Sequence, residues 1–310
     1  MSYENRIALG NLVPTLGQFK VMDKIPQYQQ CEVHNLVEAP AEVPEVLRHV
    51  VFNIERGQTL HETIDFLNMC PDLKNMDIIY ANELDDGAVR SGNCNVAYEI
   101  AKSIGMNYAY GLEFIELVNP EDNKGFHGNA LFSRWPIRWA KVVHMPEQYN
   151  WYYDRQKRIG ARVAIVCSLD IGGREVGAVS VHLENRADSE GRAAQMAVVY
   201  DEIRRSPIRK AGQAHQQIAG HIGRLRAERR DPRAEAASAE KIRLGVLIRA
   251  SGKINADADD SGHIQNHGQQ MLQICSTHNA FLRFFLLTHY KYSCIISRNF
   301  IICAYDNTLK

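Results

Sequence analysis

RVAIVCSLDIGGREVGAVSVHLE, residues Arg162 to Glu184, reads as a β-hairpin. Val163, Ile165, Cys167, Leu169 and Ile171 alternate along its first arm, the period of a strand with one apolar face. Gly172-Gly173 supplies a two-residue turn, whose positive φ angles glycine tolerates. On the return arm Val179, Val181 and Leu183 fall on one face, and Ala178, Ser180 and His182 on the other. A helix is predicted next, capped by Ser189, with Ala193, Met196, Tyr200 and Ile203 as its inner stripe.

Upstream of the hairpin the text is equally ordered. LRHVVFNI (47–54) is a valine-rich strand signal ending at Asn53, and MDIIYANE (76–83) is a second, ending at Glu83. Between them ETIDFLNMC (62–70) sets Ile64, Leu67 and Met69 near helical spacing, giving a strand–helix–strand unit. Val96, Ala97, Ile100, Ala101 and Ile104 then mark an amphipathic helix, with Asn93 or Asn95 as its cap and Gly105 as its stop. GNALFS (128–133) adds a strand around Ala130–Phe132. Residues 1–46 show weak periodicity and read as an N-terminal extension, partly packed at best.

After Pro207 the character changes. Residues 208–241 are dominated by Ala, Arg, Gln and Glu, the composition of a solvated helix or a disordered stretch. The last 33 residues, from His278 (HNAFLRFFLLTHYKYSCIISRNFIICAYDNTLK), are apolar without a clear period. Three segments result: the extension 1–46, an ordered unit 47–207, and a divergent tail 208–310 that is disordered or irregular.

Composition bounds the partners. The 36 Lys+Arg balance 36 Asp+Glu, and a pI near 7.2 gives no global attraction to polyanions. Seven scattered cysteines with no CxxC spacing read as reduced thiols rather than a zinc site or a disulfide framework. No secretory signal is visible at the N-terminus, and the 281–305 stretch, broken by Arg283, His289, Lys291 and Arg298, is a poor membrane span. The cytoplasm is the default location.

Four strings carry chemistry: FNIERG (52–57), DIIYANELD (77–85), GNALFSRWPI (128–137) and VSVHLE (179–184). In this order they resemble the motifs of the endonuclease/exonuclease/phosphatase superfamily of metal-dependent phosphoesterases, over the first half of its domain. The resemblance implies an α+β fold, a four-layer α/β/β/α sandwich of two packed mixed sheets. It also implies a hydrolase, a phosphodiesterase, phosphatase or nuclease using Mg2+ or Mn2+ on a small-molecule or nucleic-acid phosphate ester. Carried over by position, Glu83 is the metal-binding carboxylate. Asn53 orients the phosphate or a metal-bound water, and His182 is one of two active-site histidines. Asn129, Tyr110 and Arg90 are candidates for substrate contacts. Glu113 or Glu116, in YGLEFIEL (110–117), would orient His182 and keep it protonated, because an adjacent anion raises a histidine pKa. Asn82 stands where the family usually has Gln.

Each residue also has a plainer reading. Asn53 can end a strand and Glu83 can be a surface acid beside Asp85 and Asp86. His182 can be a satisfied histidine on a half-buried face, and Arg90 can pair with Asp85 or Asp86.

The resemblance stops near residue 207. The family's Gly-Asp-x-Asn motif, further aspartate and closing Ser-Asp-His are not found. SPIRKAGQAHQQIAGH (206–221) holds no aspartate, and the nearest late analogue is Ser276-Thr277-His278. NADADDSGH (255–263) mimics the start of a calcium loop, but Gly268 stands where a bidentate glutamate is needed. The sandwich is therefore expected to be incomplete, and activity to be impaired, because catalytic groups act as a unit. The composition break fits a tail that is not homologous sequence, as a frameshift, a read-through intron or a faulty gene model would give. The alternative is a non-catalytic binding protein on a remnant phosphoesterase scaffold. No protein partner can be inferred.

Overall fold

The computed structural model describes residues 1–44, 46–208, 272–276, 292–297 and 300–305. In chain order its helices are α1 (Tyr3–Gly10), α2 (Val13–Leu16), α3 (Gln18–Met22), α4 (Pro26–Gln29), α5 (Leu60–Met69), α6 (Val96–Ile104) and α7 (Ser189–Arg205). The strands are β1 (Cys31–His34), β2 (Val46–Arg56), β3 (Ile78–Asp86), β4 (Asn107–Glu116), β5 (Phe126–Ser133), β6 (Ile137–His144), β7 (Arg158–Gly160), β8 (Val163–Ile171), β9 (Arg174–His182), β10 (Leu272–Ser276), β11 (Tyr292–Ser297) and β12 (Phe300–Tyr305).

The strands form two mixed sheets. One has the order β1-β4-β5-β3-β2-β10, with β7 also on β4, and the other has the order β11-β12-β9-β8-β6. Among the described residues, parallel pairing joins β2 with β3, connected through α5 as the strand–helix–strand pattern predicts, and β9 with β12. Val51, Tyr80, Leu131, Ile165, Cys167 and Leu169 fill the space between the sheets. Leu67, Val96 and Ile100 from α5 and α6 cover the outer face of the first sheet, against Val50, Ile79 and Phe132. Val199 and Ile203 from α7 cover the second, against Val166, Val179 and Val181. The result is an α+β, four-layer α/β/β/α sandwich.

The 162–184 hairpin forms in the register its turn dictates. Ile171 faces Arg174 and Ala164 faces Val181, with Gly172 and Gly173 at φ 59° and 80°. In α6, Asn95 accepts the Tyr98 amide at 2.9 Å and Gly105 closes the helix in the left-handed region.

Other expectations are corrected. The cap of α7 is Asp188, which accepts the Gly191 amide at 2.7 Å, and the buried stripe runs through Gln195, Val199 and Ile203. Ala193 is exposed, and Met196 and Tyr200 flank the stripe. Met69 is 76% exposed, so only Leu67 and, in part, Ile64 of the predicted trio reach the core.

The largest correction concerns the N-terminus. Val13, Val21, Met22, Ile25 and Tyr28 pack with Leu112, Leu117, Phe126 and Ile159, and β1 pairs with β4. Arg6 is fully buried, its guanidinium donating to the carbonyls of Glu116, Asn119 and Asp122. Gly125, at φ 65°, leaves room for that guanidinium where a Cβ would collide with it. Helices of four to eight residues are shorter than the window that makes a 3.6-residue period visible, which is why this packing was not readable.

The tail contributes strands rather than irregular chain where it is described. The runs at 292–297 and 300–305 pair as an antiparallel hairpin, and β10 lies against β2. A run that is apolar at nearly every position carries no period of two, so alternation cannot reveal it. Thr277-His278 and the acidic string 255–263 lie outside the described residues. Cys31, Cys70, Cys94 and Cys167 are free thiols. Among the described residues no helix is long and apolar enough to cross a membrane.

Candidate active site

Neighbouring strands in the first sheet carry Asn53 (β2), Glu83 (β3) and Asn129 (β5), and Asn53 sits directly beside Asn82 in the β2–β3 register. The backbone at Glu83 is unusual. Between Ala81 and Leu84, β3 carries one more residue than β5, a β-bulge, and Glu83 takes φ 60°. A left-handed glutamate costs on the order of 1–2 kcal/mol. Asn129 secures it, its Oδ1 accepting the Glu83 amide at 3.2 Å.

His182 ends β9 in the opposite sheet and comes down over this bulge. Its Nε2 lies 3.7 Å from Glu83 Oε1, so two residues far apart in sequence share one cleft between the sheets. Glu83 keeps 20% of its side chain exposed, and His182 keeps 1%. Burial raises the Glu83 pKa, but His182, His127 and Arg162, with a hydrogen bond from Asn53, outweigh it and hold the carboxyl below its ordinary value. Glu83 is therefore an anion at neutral pH.

Behind His182 stands Arg162. Its Nη1 is 2.9 Å from His182 Nδ1 and 3.2 Å from Glu113 Oε2, and its Nε is 3.2 Å from Glu184 Oε2. Nε2 is left facing Glu83 and the cleft. Glu113 faces the imidazole as well as Arg162, its Oε2 lying 3.8 Å from His182 Nδ1. Burial raises Glu113, yet Arg162 and His182 bring it down to about 2. Glu184 is tied down further by the indole of Trp151 at 2.8 Å.

Glu116, the other candidate partner for His182, belongs to a second network. Arg90 grips Asp85 through Nε at 2.6 Å and Nη2 at 2.9 Å, and Nη2 also donates to Glu116 Oε1 at 2.9 Å. His127 Nδ1 meets Asp85 Oδ1 at 2.8 Å. Arg90 is thus engaged by carboxylates, matching its plainer reading. Tyr110 is buried in the helix-side core with its hydroxyl on the Leu84 carbonyl at 3.4 Å, away from the inter-sheet face.

Arg162, Glu184 and His127 were not singled out from sequence. Arg162 and Glu184 flank the ends of the hairpin but are not opposite each other or His182 in its register. His127 immediately precedes the Gly-Asn-Ala motif but has no spacing signal of its own.

Asn82 is fully buried, and neither of its amide atoms bonds a described group; the same holds for Asn129 Nδ2 and Ser180 Oγ. Such groups suit a hydrated, polar ligand. Among the described residues no three His, Cys, Asp or Glu side chains converge as a metal cage. A magnesium-type ion needs less, because it retains several waters and is often bound through one or two carboxylates. Glu83, anionic and partly exposed, fits that mode as a single protein anchor.

The chain is similar to solved endonuclease/exonuclease/phosphatase structures. One from Beutenbergia cavernae DSM 12333 aligns over 51% of this chain and 44% of its own, with 18% identity and a TM-score of 0.38. One from Leptotrichia buccalis C-1013-b aligns over 52% and 63%, at 16% identity and a TM-score of 0.35. The human Nocturnin catalytic domain, solved with a bound sulfate anion, aligns over 58% and 63%, at 17% identity and a TM-score of 0.38. The chain spans about half to under two thirds of the length of these structures. No family model and no curated protein matches the sequence.

Proposed function

We propose that this chain is a divalent-metal-dependent phosphoester hydrolase by descent, with only part of its catalytic set assembled. The observation that carries the reading is the 3.7 Å approach of Glu83 and His182 across two sheets, with Glu83 held in a left-handed bulge. Strain of this kind persists where surrounding structure imposes it, and it concentrates at functional sites.

In this reading Glu83 holds Mg2+ or Mn2+, with the ion's other positions left to water and phosphate oxygens. Once bound, the ion neutralises phosphate charge. Asn53 fixes Glu83 and orients the phosphate or a water beside it. His182, whose Nε2 faces Glu83, donates to a non-bridging or departing phosphate oxygen. Asn129 positions the Glu83 backbone through Oδ1 and has Nδ2 open for a substrate oxygen. The Gly-Asp-x-Asn and Ser-Asp-His motifs that the resemblance calls for are not found in the sequence, so weak turnover is expected. The substrate is a phosphate ester, either a small molecule or nucleic acid.

Hydrolysis of bis-p-nitrophenyl phosphate with added magnesium tests this. Glu83→Gln and His182→Ala should each abolish whatever metal-dependent activity the wild type has. Activity that survives both substitutions removes the assignment. If the wild type binds the ester without turnover, and both variants weaken binding, the non-catalytic reading on the same scaffold is the correct one.

A further inference from the structure

A second cavity, of about 390 Å³, opens beside the Asp85–Arg90–Glu116 network. Its wall comes from Ala88 and Arg90, the end of β4 at Glu116, the loop carrying Val118, Asn119 and Asp122, and Arg155-Gln156 before β7. Buried Arg6 braces the loop from behind through the Asn119 and Asp122 carbonyls.

The charges around this cavity do not cancel. Glu116 is already shared by Arg90 at 2.9 Å and Arg158 at 3.3 Å, and also receives Gln156 Nε2 at 3.3 Å. Asp122 is taken by Arg6 at 3.4 Å and the Val89 amide at 2.9 Å. Gln156 Oε1 accepts from Arg56 at 3.1 Å and from Arg158. Arg155 is exposed and pairs with no described residue, and Nη1 of Arg90 bonds none either. Arg158 shows the shortage of anions independently. Burial pulls its pKa down, and Arg56, Arg162 and Arg90 reinforce that against the single opposing charge of Glu116. Two guanidinium edges with open donors, on a concave wall that also holds Ala88 and Val118, match an oxyanion with planar, forked oxygens better than a cation or a neutral solute.

We propose that this cavity binds a phosphate-type oxyanion between Arg155 and the Nη1 edge of Arg90, at a site distinct from Glu83 and His182. The oxyanion can be free phosphate or the phosphodiester of a nucleotide chain. The inference does not depend on turnover at the other site.

Calorimetric titration of the full chain with inorganic phosphate, and separately with a thymidine dinucleotide diester, tests it. Arg155→Ala should weaken binding roughly tenfold, the scale of one charge-assisted contact. Arg155→Lys, which keeps the charge and loses the fork, should fall between. Arg155 is exposed, so neither change threatens the fold, whereas Arg90 is left untouched because Asp85 depends on it. Both titrations are run with EDTA present, so that a metal-dependent phosphate site at Glu83 does not contribute. Weakening seen with both titrants identifies free phosphate as sufficient. Weakening confined to the dinucleotide identifies a diester as the ligand, and both results support the site. No binding by the wild type, or unchanged binding by both Arg155 variants, overturns it.

Discussion

Glu83 and Asp85 sit two residues apart on one strand and live in opposite chemical conditions. Asp85 is fully buried and saturated, gripped by Arg90 through two nitrogens and met by His127 at 2.8 Å. Glu83 is partly open, left-handed, and meets its histidine only at 3.7 Å. The first carboxylate is spent on structure, while the second is held at a cost in backbone strain with capacity to spare. Neighbouring acids in a motif therefore cannot be ranked by type; what separates them is how many donors already reach them.

The widest test of that contrast lies behind the histidine. Arg162→Met leaves Glu113 and Glu184 buried without their shared cation, and should cost ~3–5 kcal/mol in urea unfolding, the scale of a broken buried ion pair. Asp85→Asn keeps the shape but removes the charge that Arg90 and His127 face, and should cost ~2–3 kcal/mol. Loss of less than about 1 kcal/mol in either would mean these networks are not the structural half of the comparison.

Acid should expose the same asymmetry. Glu113 titrates at about 2 in the folded chain, well below a free glutamate, so its contribution is complete above pH 4.5 and drains away as pH falls toward 2. Asp85 is shifted in the same direction and adds to the loss. His49 acts over a higher window. Burial lowers it to about 4, so between pH 6.5 and 4 the unfolded chain takes up a proton that the folded chain refuses. Stability should fall with a slope of about 1.4 kcal/mol per pH unit across that window. His49→Phe should flatten this slope while leaving the Glu113 decline below pH 4.5 in place. The smallest expected effect has the opposite sign. Glu83→Gly relieves the left-handed strain and should raise stability by ~1 kcal/mol while ending any metal-dependent activity. A destabilised Glu83→Gly would show that the carboxylate is structural after all.

Most of the central sandwich was legible because its elements announce themselves locally. The 162–184 hairpin, the Asn95 and Gly105 caps of α6 and the β2–α5–β3 unit each rest on alternation, turn glycines or capping chemistry that a few residues display. The meeting of Glu83 and His182 came from the motif resemblance, since nothing in their own spacing joins them. What stayed hidden depends on contacts between distant segments. Arg6 carries no sign of burial in the sequence because its acceptors lie more than a hundred residues away, and they are mostly carbonyls with no side-chain signature. The bulge at Glu83 was hidden because glutamate is not the residue one expects at positive φ. Arg162 was hidden too, because continuing the hairpin register past Ala164–Val181 sets it opposite Leu183 rather than His182.

The turn at Gly172-Gly173 works as a ruler. Inserting a single residue between Val176 and Val179, with the turn intact, would send Val181 into the cleft and His182 out beneath α7, because side chains alternate faces at every step. Neither the helix nor the opposing sheet could compensate. A whole cleft thus hangs on the parity of one short arm, and a length change of two residues there should be tolerated better than a change of one.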